Sequence, residues 1–457
     1  MIGKLYSTFL SLYKQITALE AEDMQWLKTG IKANAYTVNV FALALILSGI
    51  LCLLGLNGCA ARSKAPPETV SPAAKRVQEK SSTPTETTAP AANRMQEKSS
   101  TPTETASQPA DSTEEKTRTP KTQPTTETDL PTLANLPEGW SQITPGGMTS
   151  CARGGIYTFF VRKTQSAKLL IYFEGGGSCY DANTCRVGGN YFDDSIDPSQ
   201  QADNPALKRE GVFALDDKRN PFKDYNMVFV SYCTGDAFLG KNVVSYGSGK
   251  EAFQVNHFGA ENARTVLNWT YQNYTDPESV FVIGCSAGVV GSFFHAPSIL
   301  QNYAQQPVVM VGDSGGGYLD GPASVAQNFG VNELLPDWIE GYQDLVGKQW
   351  IRTDLFFKLP ALAYPEQRFA LVDTLDDHVQ AEILQRARGN KTLGEVIEAN
   401  LNDIRSAAPG FLSYNGAGDQ HCISMAPIFP NYESGGVKLK DWLAALANGK
   451  EVPNVAP

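Results

Sequence analysis

Short apolar runs alternating with helical patterns constrain this chain more than any other feature. Runs rich in β-branched and aromatic residues occur at 156–163, 168–173, 227–232, 279–284, 308–312, 368–373 and 411–415. Helical patterns predict helices over 258–274, 287–300, 324–344, 379–388, 392–406 and 436–448. A strand that is apolar throughout is buried on both faces, and helices between such strands let them pair in parallel. The expected class is therefore α/β, with a mostly parallel central sheet and helices on both faces. The polar stretch at about 185–225 has few apolar runs and is expected to lie over the sheet edge as a loop or lid.

The N-terminal part has a different character. Residues 34–56 form the only long apolar run, preceded by Lys28 and Lys32 and followed by Asn57-Gly58-Cys59. Its length permits a signal-anchor helix. The small-residue step to Cys59 instead matches a secretory signal ending at a lipid-modified cysteine, and this reading is preferred. Glu20, Glu22 and Asp23 make the upstream stretch too acidic for a normal leader, whereas a start at Met24 restores a short basic one. Residues 1–59 are thus expected to be a signal peptide or membrane anchor with Cys59 as its lipidation candidate. Residues 60–132 follow as a Pro/Thr/Ser/Glu-rich linker, in which PAAKRVQEKSSTPTET from Pro72 returns 18 residues later as PAANRMQEKSSTPTET from Pro90. Nothing apolar in this repeat can stack, so a disordered tether is expected, leaving 133–457 as the folded domain. The formal net charge of −10 and the lack of a basic stripe argue against a nucleic-acid partner.

Chemistry concentrates where one strand ends. Residues 279–295 read SVFVIGCSAGVVGSFFH, a strand followed by Gly284-Cys285-Ser286-Ala287-Gly288 and a small-residue helix. This strand–turn–helix context turns a G-x-S-x-G match into a nucleophile elbow, with Ser286 lifted clear of the sheet. That points to an α/β-hydrolase-like architecture. Only four histidines are available as a base: His257, His295, His378 and His421. His421 follows the last strand and its glycine-rich exit, and reactive groups collect at the carboxyl ends of parallel strands. Asp313, Asp373, Asp376 and Asp377 lie between serine and histidine as candidate acids, while Asp419 is too near His421 to orient it. Gly175-Gly176-Gly177 leaves the strand KLLIYFE where backbone N–H groups, with that of Ala287, can form an oxyanion hole. Cys285 is a rival nucleophile, disfavoured because the elbow presents the serine and turns its neighbour inward. No C-x-x-C pair or histidine-rich cluster suggests a metal, and no cofactor is expected.

The segments YFEGGGSCYDANTC, VSYCTGDAFLG, NHFGAENARTVLNW, VFVIGCSAGVVGS and GDSGGGY, in this order, resemble the pectinacetylesterase and Notum family of serine carboxylester hydrolases. The resemblance runs over most of residues 150–425 and implies an α/β-hydrolase fold with metal-independent ester hydrolysis. It implies Ser286 as nucleophile and His421 as base. The family's Asp-x-x-Gln stretch reads Asp377-His378-Val379-Gln380 here and favours Asp377 as the acid. Gly176, Gly177 and Ala287 would supply the oxyanion hole. The chain departs from the family pattern at Gly288-Val289 and Gly177-Ser178, and DQHCIS is closer to bacterial members. Cys179 with Cys185, and Cys151 with Cys233, are the expected disulfides of an oxidising compartment, which leaves Cys285 and Cys422 beside the catalytic candidates. The expected function is that of an extracytoplasmic, membrane-anchored serine esterase acting on an acetylated polysaccharide. A lipid or fatty-acyl esterase and a non-catalytic surface binding protein are the alternatives.

Overall fold

The computed structural model describes residues 130–386 and 390–457. The expected leader, Cys59 and nearly all of the tether lie outside the described residues. An eight-stranded sheet in the order β1-β2-β4-β3-β7-β8-β9-β10 organises the domain. β1 (Gly139–Ile143), β2 (Phe159–Lys163) and β4 (Asn226–Val230) pair antiparallel at one edge. β3 (Lys168–Phe173) then pairs parallel with β4 and β7 (Ser279–Cys285), followed by β8 (Val308–Asp313), β9 (Arg368–Thr374) and β10 (Leu412–Gly416), all parallel.

The continuous apolar runs explain this arrangement. Along β3, Leu169, Ile171 and Phe173 enter one core while Leu170 and Tyr172 enter the other. Along β7, Val280 and Val282 alternate in the same way with Phe281 and Ile283. A period of two with both sets apolar demands cover on both faces. Helices α1 (Gly259–Asn273), α2 (Ala287–Phe294), α3 (Ala296–Asn302) and α4 (Ala323–Phe329) pack on the first face. They are joined there by α5 (Thr353–Ala363), α6 (His378–Arg386) and α7 (Leu393–Ala407). The second face is closed by α8 (Leu439–Ala447), through Trp442, Leu443 and Leu446, and by Val212, Phe213 and Phe222. An α/β-hydrolase-like fold with a mostly parallel sheet is the result.

Several elements differ from expectation for physical reasons. The helix expected over 287–300 divides at His295, because Pro297 has no N–H to continue the ladder. The helix expected over 324–344 stops at Phe329, where Gly330 turns left-handed at φ +79°; only short 3-10 turns follow, with Gly341 at +89°. A hairpin of β5 (Asn242–Tyr246) and β6 (Phe253–His257) lies outside the main sheet. The polar 185–225 stretch is not only a cover at the edge: its later part inserts Val212, Phe213 and Phe222 into the second core.

Candidate active site

The exits of β3, β7, β8, β9 and β10 share the carboxyl end of the sheet, the region where open parallel sheets gather reactive groups. At the β7 exit Ser286 adopts φ 54°, ψ −120°, a strained conformation for a residue with a side chain. The flanking glycines are a steric necessity. A Cβ on Gly284 would lie 2.1 Å from the Gly288 carbonyl oxygen, and one on Gly288 would lie 2.3 Å from that of Phe173. The Ser286 N–H donates to the Asp313 carbonyl at 3.0 Å, tying the elbow to β8. Val289, where the family pattern has a second glycine, fits because its side chain lies over Gly312 and Gly315.

The β3 exit runs against the elbow: a Cβ on Gly175 would stand 3.1 Å from the Ser286 Cβ. Gly176 and Gly177 follow at φ 149° and 72°. Among the described residues, no acceptor takes their amide hydrogens. Ala287 opens α2, so its N–H belongs to the first turn, which has no acceptor within the helix. Ala287 follows the serine in the chain, and Gly176 and Gly177 follow Gly175, the residue packed against it.

On the other side, His421 Nδ1–H donates to Asp377 Oδ2 at 2.7 Å, with the histidine side chain 18% exposed and the aspartate 0%. That contact leaves Nε2 of the imidazole available as a base. Burial pushes the Asp377 carboxyl up, but the hydrogen bonds from His421 and Gln380 outweigh it and hold the group below the usual carboxylate range. Gln380 Nε2 donates to Asp377 Oδ2 and to Asp373 Oδ1, both at 3.0 Å, while its Oε1 accepts from Gly317 N. Asp373 is fully buried and its Oδ2 has no hydrogen-bond partner. Burial raises its carboxyl to about 7.

Two links join the serine and histidine sides. The first is a disulfide between Cys285 and Cys422, the residues just before Ser286 and just after His421, with Cα atoms 5.6 Å apart. Sequence separation hid this pair, and it removes Cys285 as a thiol nucleophile. The second is the dipeptide Asp313-Ser314. The buried Asp313 carboxylate accepts from Ile423 N at 3.2 Å and Ser424 N at 2.6 Å, and Ser314 Oγ accepts from Cys422 N at 2.8 Å. Asp313 thus holds the loop that carries His421 rather than the imidazole itself. No sequence signal reveals this role, since its partners are backbone groups.

The remaining candidates lie apart from this arrangement. His257 is buried between the Thr234 carbonyl and the Tyr246 hydroxyl. His295 is held at the Phe238 carbonyl. His378 binds the Asp419 carbonyl with its ring 6.5 Å from that of His421. Asp376 uses its backbone N–H to bond Gly418, zipping the β9 exit to the β10 exit. Disulfides also join Cys151 to Cys233 and Cys179 to Cys185. Cys179 and Cys185 approach His257, but as half-cystines they offer no thiolate for a metal.

The family model described as pectinacetylesterase matches residues 147–336. Pectin acetylesterase 5 of Arabidopsis thaliana is 24% identical over 217 residues, 44% of each chain. Palmitoleoyl-protein carboxylesterase NOTUM of Schmidtea mediterranea is 28% identical over 147 residues, 31% of this chain and 26% of its own. Palmitoleoyl-protein carboxylesterase notum2 of Xenopus laevis is 29% identical over 148 residues, 32% of this chain and 29% of its own. The matched stretches thus span less than half the length of these relatives. The family match contains Ser286 and the β3 glycines and stops before Asp377 and His421.

Proposed function

We propose, from the pectinacetylesterase family model that matches residues 147–336, a serine carboxylic-ester hydrolase working through Ser286, His421 and Asp377. His421 Nε2 takes the proton of Ser286 Oγ as that oxygen attacks the ester carbonyl carbon. The N–H groups of Gly176, Gly177 and Ala287 hold the oxyanion of the tetrahedral intermediate. Its collapse breaks the C–O bond, and the departing alcohol takes the proton from His421. Water, deprotonated by the same imidazole, then attacks the acyl-enzyme; the acyl C–Oγ bond breaks, Ser286 Oγ takes the proton back from His421, and the carboxylic acid leaves. Asp377 keeps the imidazole in the Nδ1–H tautomer and stabilises its cationic form.

The observation that carries this reading is the disulfide that brings the neighbours of Ser286 and His421 to a Cα separation of 5.6 Å. An acetylated polysaccharide is the proposed substrate, in keeping with the name of the plant relative. The names of two other relatives favour a second reading, removal of a long acyl chain. The domain 133–457 is proposed to act outside the cytoplasm, where three disulfides persist, tethered to a membrane by residues 1–59. Hydrolysis of a p-nitrophenyl ester series, acetate to palmitate, tests both readings against Ser286→Ala. A short-chain optimum lost in the variant is expected; an optimum at palmitate would transfer the proposal to acyl-chain removal. Undiminished turnover by Ser286→Ala would reject the mechanism.

A further inference from the structure

Resting on the reading above, we infer that Tyr232 is a positioning residue of the oxyanion hole, acting through the carbonyl of Gly177. Tyr232 follows β4, next to the β3 exit, and is 2% exposed. Its hydroxyl donates to Gly177 O at 3.0 Å and accepts from Ala237 N at 2.8 Å. Its own N–H donates to Glu174 Oε2 at 3.1 Å. One residue therefore grips the β3 exit at both ends, on either side of Gly175 and Gly176.

The consequence follows from peptide geometry. In a trans peptide the carbonyl and the N–H point in opposite directions, so anchoring one aims the other. Gly176 O accepts from Asp193 N at 2.9 Å, which turns the N–H of Gly177 away from that contact. The next peptide is fixed twice: Gly177 O by Tyr232, and Ser178 N by the Tyr191 carbonyl at 3.2 Å. Two adjacent glycines left to themselves sample many orientations, which would misdirect their donors. Tyr232 holds the peptide after Gly177, so with Gly176 O pinned by Asp193 both planes flanking Gly177 are fixed and its N–H cannot swing; the tyrosine ring also lies against Gly176, whose added Cβ would meet Cδ1 at 2.5 Å.

A second observation shows what the fold spends on this contact. Ala237 and Phe238 both hold positive φ, 51° and 64°, a costly conformation for residues with side chains. The buried Asp236 carboxylate maintains that turn by accepting from Phe238 N, Gly240 N and Gly259 N at 3.0, 3.2 and 2.7 Å. The turn delivers the Ala237 N–H to the phenol oxygen, which leaves the phenol proton directed at Gly177. The strain is thus coupled to the β3 exit.

The test compares Tyr232→Phe with the parent chain on the best p-nitrophenyl ester. The inference predicts that kcat falls about 10- to 100-fold while KM stays within twofold, because an oxyanion contact is made only in the transition state. An alkylboronic acid, which forms a tetrahedral adduct on a catalytic serine, should bind weaker by the same factor. A kcat within twofold of the parent overturns the inference, as does lost activity with unchanged boronic-acid affinity. If Tyr232→Phe does not fold, Tyr232→p-aminophenylalanine keeps the ring with a weaker donor, and the same split between kcat and KM decides. Ser286→Ala separates the two levels: its full activity rejects the esterase mechanism itself, whereas an inactive Ser286→Ala beside a fully active Tyr232→Phe rejects only the role of Tyr232.

Discussion

The segment up to residue 336 and the segment after it build the two sides of one site by different means. The first side, with Ser286, Gly176 and Gly177, is held by main-chain constraint: positive φ angles, glycines with no room for a Cβ, and carbonyls pinned outward. The second, with Asp377 and His421, is held by side chains: Gln380, three residues on from Asp377 in α6, and Asp313 and Ser314, reaching across from the β8 exit. Main-chain geometry leaves a local signature in sequence, whereas a side chain bonded to a distant N–H does not. The family match covers the first side and ends before the second.

Each side makes its own prediction. The largest effects fall on the chemistry: Ser286→Ala and Asp377→Asn should each lower kcat by about 10⁴-fold or more while the fold is retained. A small effect of Asp377→Asn would break the comparison, since the second side would then be dispensable. Next is the covalent bridge. Replacing Cys285 and Cys422 together by Ala should cost about 2–5 kcal/mol in denaturant unfolding. It should also lower kcat more than KM changes, because the bridge sets the distance between the sides.

A smaller effect is expected from Gln380→Leu, which removes one of the hydrogen bonds holding Asp377 and leaves Gly317 N unpaired. A kcat loss of about 10-fold with the KM retained is the outcome to look for, since a charge-assisted hydrogen bond contributes about 1.5–3 kcal/mol. The smallest concerns Asp373. Its folded-state carboxyl is raised to about 7 from 3.8, chiefly by burial, so folding favours the protonated form. That contribution is complete below about pH 4 and is lost as pH rises towards and through 7. Asp373→Asn should therefore flatten the fall in melting temperature between pH 4 and pH 7, and an unchanged slope would assign the ionisation elsewhere.

The sequence is legible where one residue type does the structural work. The strands at 168–173 and 279–284 are apparent because both faces need apolar side chains, and Ser286 because its turn tolerates only glycine two positions before and after it. The 324–344 segment misleads because its apolar spacing is helical while Gly330 and Gly341 interrupt it. Asp377 stands out only through the Asp-x-x-Gln pattern, and the reason for the pattern emerges with Gln380 bridging two carboxylates. Asp313 and Tyr232 remain hidden: one was a candidate acid, the other an ordinary core tyrosine, and both act on main-chain atoms far along the chain.

The bridge between Cys285 and Cys422 spans 137 positions. During synthesis the elbow therefore emerges long before its proton acceptor. A nascent chain that has not yet released residue 422 carries Ser286 without His421 bridged beside it. If Ser286 and His421 act as proposed, hydrolytic competence would arrive only once both segments have been made and the bridge has closed.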